Sequence, residues 1–269
     1  MGYNSRMLID THCHLTFKDF RGQVEEVLKR AEKCGVRQLV AVGVDLEDSL
    51  KNLELAQKYE NVFATLGVHP SDASKWEDRA LQVFLEKIRE GWDKREKNVV
   101  AIGEIGLDYY HMKAPREVQK EVFRKQLQFA RKVQLPVVVH SRDAFEDVFE
   151  ILEEEMMESV VFHCFAEGRK EAEKIWANEW HTSFTGTVTY EKNENLHEVA
   201  AMCPDELYFL ETDAPFLTPQ KYRGERNEPA YVVEVAKMMA ELRGQSLDQV
   251  EWQTTKNAES FFGLPRIEG

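Results

Sequence analysis

The feature that most constrains this chain is an alternation that runs its whole length. Short apolar, β-branched runs are each followed by a loop and usually by a helical pattern, eight times over. The runs fall at residues 8–14, 38–44, 62–68, 99–104, 136–140, 160–163, 182–186 and 207–212. Strands separated by helices imply a parallel sheet, because parallel neighbours need a long crossover between them. Eight strand–helix units predict an α/β fold, the TIM (β/α)8 barrel, and the 269-residue length suits one such barrel. The clearest helix follows the fourth run, where Val118, Val122, Phe123, Leu127 and Ala130 recur at steps of three and four. No repeat, linker or low-complexity tract divides the chain, so residues 1–269 read as a single domain. An open doubly wound sheet would carry a Gly-rich phosphate loop after its first strand; here that strand ends in Asp-Thr-His-Cys-His.

Metal-ligand residue types recur at the C-terminal ends of these runs, which is where barrel enzymes place their chemistry. His12 and His14 close the first, Glu104 the fourth, His140 the fifth and His163 the sixth, and Asp213 follows the eighth. Strand side chains alternate faces, so His12 and His14 point one way and Cys13 the other; Asp10 shares the histidines' parity as a supporting group. Buried imidazoles and carboxylates are costly unless paired or metal-bound, so packing alone does not explain the set. Imidazole and carboxylate donors without thiolate suit Zn²⁺, Mn²⁺ or Mg²⁺. Six donors exceed one tetrahedral ion and suit two divalent metal ions sharing a carboxylate, a centre that activates water and clamps a phosphoryl group. Asp213 is placed both to ligate and to accept the proton of the attacking water, with Glu211 at the same parity as helper or orienting group.

The segments DTHCHL, GVHP, GEIGLDYY, FRKQLQFA, LPVVVHSRDA, HCF, ETDAPFLTP and RGERNEP, in this order from about residue 8 to 262, resemble the TatD family of metal-dependent deoxyribonucleases. The resemblance implies a barrel of the metallo-dependent hydrolase type within the amidohydrolase superfamily. It implies one metal on His12, His14 and Asp213, a second on His140 and His163, and Glu104 bridging. It also implies hydrolysis of DNA, often as a 3′→5′ exonuclease and sometimes at abasic sites; some relatives are connected with removing D-amino acids from tRNA. Two departures stand out: HCFAEG where HCFSG is commoner, and Cys13 where alanine is frequent.

Around these positions, His69 in GVHP is a candidate substrate contact at the same rim. Arg142 offers a planar fork for phosphate or a partner for Asp143 or Asp108, and Tyr109 with Tyr110 offers rings on which a terminal base can stack. Arg223, Arg226 and Asn227 lie on the loop after the eighth strand, where Arg223 and Asn227 are candidate substrate contacts and Lys221 adds positive charge. His111, His181 and His197 fall outside strand ends and read as ordinary loop or helix residues.

The net charge of −13 disfavours non-specific coating of nucleic acid and leaves room for an enzyme whose pocket is locally positive. Four cysteines with no CxxC pair read as reduced thiols of a cytoplasmic protein. No signal-peptide core and no membrane-length apolar run is present, and residues 1–7 read as a short leader. The expected partner is DNA as substrate, single-stranded or at 3′ ends, with no membrane and no obligate protein partner. Two other readings keep part of this picture. One is an amidohydrolase acting on an ester or amide, such as a D-aminoacyl-tRNA deacylase, although Glu104 stands where its barrel relatives often carry a carbamylated lysine. The other is a non-catalytic scaffold that retains metal for stability.

Overall fold

The computed structural model describes residues 7–94, 96 and 98–267; apart from Met7, the expected leader lies outside them. The strands are β1 (Leu8–Cys13), β2 (Val36–Ala41), β3 (Val62–Leu66), β4 (Val99–Asp108), β5 (Val137–Arg142), β6 (Val160–Phe162), β7 (His181–Phe184) and β8 (Tyr208–Leu210). They follow one another in chain order through one eight-stranded sheet. Between and after them lie α1 (Val24–Lys33), α2 (Leu46–Lys58), α3 (Arg79–Lys94), α4 (Arg116–Val133), α5 (Phe145–Glu154), α6 (Arg169–Ala177), α7 (Glu194–Met202), α8 (Val232–Arg243) and α9 (Leu247–Phe262). This is the (β/α)8 barrel that the alternation predicts. By density of contacts the chain divides into two compact units, residues 41–163 and residues 1–40 with 164–269.

In the unit of residues 41–163, the fourth strand departs most from expectation. It continues to Asp108, and β5 continues past His140 to Arg142, because the parallel ladder carries on through Gly106↔His140, Leu107↔Ser141 and Asp108↔Arg142. Reading the strands to end at their first charged or ligand-type residue therefore stopped them early. The register shifts between Ile102 and Ile105, where three steps on β4 match two on β5. Such a bulge re-aims the side chain it carries, here Glu104. Neighbouring groups pin it: Glu104 N–H donates to the Gly43 carbonyl at 2.8 Å, and the Thr65 hydroxyl donates to the Gly103 carbonyl. A Cβ on Gly67 would stand 2.6 Å from the Gly103 carbonyl carbon, so glycine is what lets the two backbones approach.

Helix α4 buries Val122, Phe123, Leu127 and Ala130, as its periodicity predicts, and Val118 packs beside Trp76 over Ala73 and Ala114. Its buried face also carries two glutamines that act as backbone clamps. The Gln126 amide accepts from Val68 N–H at 2.8 Å and donates to the Val68 carbonyl at 3.0 Å. The Gln119 amide does the same for Asp108, at 2.8 and 3.0 Å. Each amide satisfies both polar groups of a residue that lies in a loop or at a strand end, where no ladder supplies partners.

In the other unit, β7 pairs with β8 through Thr182↔Tyr208, Ser183↔Phe209 and Phe184↔Leu210. The last strand returns to the first: Asp213 N–H donates to the His12 carbonyl at 2.9 Å and His14 N–H to the Ala214 carbonyl at 2.8 Å. Strand β8 is three residues long, shorter than the run suggested, because the Thr212 N–H turns to a side chain. The Asp10 carboxylate accepts from Thr212 N–H at 2.9 Å, the Thr212 hydroxyl at 2.6 Å and His12 N–H at 3.3 Å. Burial pushes the Asp10 carboxyl up to about 8 against the pull of these donors. Helix α9 opens on a capping box between Ser246 and Gln249 and closes on Gly263 in the left-handed conformation. From it, the Asn257 amide donates to the carbonyls of Asp205 and Tyr208, fixing the entry to β8.

Gly106 has φ +142°, and a Cβ there would lie 2.0 Å from the His140 carbonyl oxygen. Gly106→Ala is expected to cost about 3 kcal/mol or more, from backbone strain and overlap together. Urea unfolding measures it, and a parental midpoint would show that the β4–β5 ladder shifts freely.

Candidate metal centre

Two sets of imidazole and carboxylate groups stand at the C-terminal ends of strands, one in each compact unit. The first joins the end of β1 to the turn after β8. His12 Nε2 and His14 Nε2 are 3.3 Å apart, and Asp213 Oδ1 lies 3.2 Å from His14 Nε2 and 3.7 Å from His12 Nε2. A divalent ion about 2.0–2.2 Å from three such donors in tetrahedral array would separate them by roughly 3.3–3.6 Å. The spacing therefore fits a metal. Asp213 has φ +55°, a left-handed backbone that turns its carboxylate to the histidines. Both histidines are buried, and Phe17 stacks on the His14 ring with centroids 4.6 Å apart and planes at 17°.

The second set gathers around Glu104, which is 3% exposed. Its Oε1 lies 2.7 Å from His140 Nδ1, 2.9 Å from His163 Nε2 and 3.4 Å from His69 Nε2, and the His140 and His163 nitrogens are 3.4 Å apart. His69, Glu104 and His140 form a group able to hold a metal ion. His163 N–H continues the ladder to the Val139 carbonyl at 3.0 Å, which fixes the backbone of that ligand position just past β6. The His69 Nδ1 accepts from Ser71 N–H at 3.1 Å, and burial holds the imidazolium down. His69 is thus a neutral ring with its proton on Nε2, directed at Glu104. Gln126, by clamping Val68, holds the residue that precedes it.

Behind His140 stands Asp108, buried and weakly signalled in the sequence. His140 presents Nδ1 to Glu104, while its Nε2 lies 3.4 Å from Asp108 Oδ2. Asp108 Oδ1 accepts from Tyr110 N–H at 3.1 Å and His111 N–H at 2.8 Å, and Oδ2 meets His111 Nδ1 at 2.7 Å. Burial opposes the Asp108 charge, but contacts with His140 and with the backbone and ring of His111 outweigh it and hold the carboxyl well below the usual range. An aspartate followed by two N–H groups folded back onto it is an Asx-type turn, the one local sign that marked Asp108 within GLDYY. A carboxylate on the far nitrogen of a ligating histidine fixes its tautomer and raises its basicity. His111, read from sequence as an ordinary loop residue, is part of this arrangement.

The expected substrate contacts are spread differently. Arg142 is exposed, its guanidinium 5.1 Å from the Tyr110 ring centroid. The Tyr109 hydroxyl donates to Asp147 at 2.6 Å and its ring lies under Arg116, so its hydroxyl and one face are engaged. Tyr110 is the more exposed of the pair. Arg223 is exposed and lies over Tyr190 at 4.4 Å. Asn227, placed from sequence among the substrate contacts, is fully buried. Its amide donates to the carbonyls of Thr212 at 2.8 Å and Phe216 at 2.5 Å, which makes it a clamp on the turn that carries Asp213. Arg226 reaches the Asp19 carbonyl and Gln23 rather than the strand ends. Glu211 accepts from Cys164 N–H at 2.7 Å and so acts as an orienting group. Phe17 and Phe216, which the sequence reading left aside, are the rings that stand against the first donor set.

Comparison with known proteins identifies the family. The family model described as TatD related DNase matches residues 9–263. The chain is 39% identical over 260 residues to a Bacillus subtilis protein named as the uncharacterized metal-dependent hydrolase YabD, spanning 96% of this chain and 100% of that one. It is 32% identical over 264 residues to the 3'-5' ssDNA/RNA exonuclease TatD of Escherichia fergusonii, spanning 96% and 99%. Among solved structures it is similar to YjjV, a TatD homolog from Escherichia coli K12, with a TM-score of 0.88, 31% identity, and 96% and 98% of the two chains covered.

Asp108→Asn is expected to weaken metal binding at the Glu104 set about 10–100-fold, since an amide no longer compels His140 to carry its proton on Nε2. Titration of metal-stripped protein with Zn²⁺ or Mn²⁺ by calorimetry checks it. Parental affinity would mean that His140 needs no orienting partner.

Proposed function

The chain belongs to the TatD related DNase family and is a metal-dependent hydrolase, and from that premise we propose that it cleaves phosphodiester bonds of DNA, removing nucleotides from 3′ ends with two divalent ions. The observation that carries the reading is the pair of donor sets: two imidazoles and a carboxylate near metal-ligand spacing in the first, and histidine nitrogens converging on one Glu104 oxygen in the second. As the family resemblance implies, we assign His12, His14 and Asp213 to one ion, and His140 and His163 to the other, with Glu104 shared. The thiolate-free donor chemistry suits Mg²⁺, Mn²⁺ or Zn²⁺. Such ions, when bound, supply positive charge against phosphoryl oxygens and acidify water.

The chain's own groups do the rest. Asp213 accepts the proton of the attacking water at a carboxylate whose side chain is 13% exposed, open enough to meet substrate. His69, its Nδ1 taken by Ser71 N–H and its Nε2 3.4 Å from Glu104, orients that carboxylate at the rim where substrate enters. Arg142 and Arg223, both exposed and each seated over a tyrosine ring, provide local positive potential in a protein of net charge −13. The relative named as a 3'-5' ssDNA/RNA exonuclease supports single-stranded nucleic acid as the substrate class.

Single-stranded DNA labelled at the 3′ or the 5′ end, incubated in Mg²⁺, Mn²⁺ or Zn²⁺, tests this, with EDTA and Asp213→Ala as controls. Loss of the 3′ label as mononucleotide is expected first, and EDTA abolishes it. Glu104→Gln is expected to lower kcat/KM about a thousandfold or more, since charge stabilisation by metal amounts to several kcal/mol, while the fold is kept. Digestion by Glu104→Gln at the parental rate under controlled metal would overturn the mechanism.

A further inference from the structure

Phe216 is 49% exposed, although it follows Asp213 by only three residues and its ring lies 6.1 Å from that of His14, at 65°. An apolar ring in that position loses hydration free energy that burial would recover, and a loose loop would let it turn inward. The loop here is fixed. Phe216 N–H donates to the Asp213 carbonyl at 2.9 Å, and Asn227 Nδ2 donates to the Phe216 carbonyl at 2.5 Å and the Thr212 carbonyl at 2.8 Å. Asn227 N–H donates to the Pro215 carbonyl at 3.2 Å. Asn227 itself is fully buried, so the clamp on the backbone from which the Phe216 ring projects is anchored in the interior. Phe17, half-buried, stands at 75° to Phe216 with centroids 6.0 Å apart and has one face on His14. The two rings form a right-angled aromatic corner beside a metal-ligating imidazole.

We propose that this corner is the pocket for the terminal nucleobase, with the base stacked on the exposed face of Phe216 and its edge against Phe17. The inference rests on the nuclease reading above and deepens it by naming what selects the end of the strand. A planar aromatic group is the occupant that a fixed exposed ring fits, and stacking is tolerant of base identity because every base has a π-face. The corner therefore gives end recognition without sequence preference. A phosphodiester seated at Asp213 and His14 keeps the base of the same nucleotide within reach of Phe216, since both rings border that donor set.

The test uses two single-stranded oligonucleotides, alike except that the 3′-terminal nucleotide carries adenine in one and is abasic in the other. The parent protein is expected to show kcat/KM about tenfold or more higher for the base-bearing end, mainly through KM, the factor that stacking of one base supplies. Phe216→Ala collapses that ratio toward one, and Phe216→Tyr, which keeps the ring, restores it. A second readout needs no turnover. A 3′-terminal 2-aminopurine joined by a phosphorothioate is quenched on binding the parent and the tyrosine variant, and not on binding Phe216→Ala. A ratio and a quench that persist in Phe216→Ala overturn the corner and leave the nuclease reading intact. A parent protein that cleaves neither oligonucleotide overturns both.

Discussion

A carboxylate held among imidazoles and almost out of water is the interaction on which this architecture depends. Glu104 has three histidine nitrogens within 3.4 Å of one oxygen. Desolvating that many polar groups is unfavourable unless each is compensated. The scaffold around them bears the marks of that constraint: a bulge to aim Glu104, a close backbone approach at Gly67 and Gly103, and Gln126 and Gln119 holding the peptides of Val68 and Asp108. None of these devices touches a reacting group. Each removes a freedom that would let the donors drift apart, and second-sphere contacts of this kind keep donor geometry within the tolerance that metal binding needs.

The first donor set is built by a different device. Its members come from the two ends of the chain, so ordinary ladder bonds must close around a left-handed residue, Asp213, that cannot belong to a strand. Asp10 substitutes a carboxylate for the missing ladder partners and takes three donors from His12 and Thr212. Asn227 then secures the far side of the same turn. Exposed loops of charged residues generally read as solvated surface; here an amide from such a loop is in the interior, and the turn owes its shape to it.

Much of this is legible in the sequence. The alternation gave the barrel because periodicity and crossover length are properties of local sequence. The donor groups that the structure gathers into two sets were legible because His12, Glu104, His140, His163 and Asp213 each stand at the C-terminal end of an apolar run. Strand limits were less so, since a ladder continues through polar residues when its neighbour continues, as β4 does to Asp108. The bulge at Glu104 left no trace that side-chain parity could detect. Asn227 and Gln126 were hidden because a buried amide and a surface amide look alike in sequence; the difference lies in which carbonyl comes near. Phe216 carries no local mark in the sequence, and only its exposure beside His14 distinguishes it.

The position of the Asp10–Thr212 clamp has a consequence for the order in which the molecule is completed. Its partners are 202 positions apart in sequence, while the Glu104 set is contained between residues 69 and 163 of one contiguous stretch. On a ribosome the groups around Glu104 have all emerged while the chain still lacks Asp213. His12 and His14, among the earliest residues made, wait for their carboxylate through most of translation. The donor groups of the two sets are therefore completed at different moments of synthesis, in an order set by the arrangement of the gene.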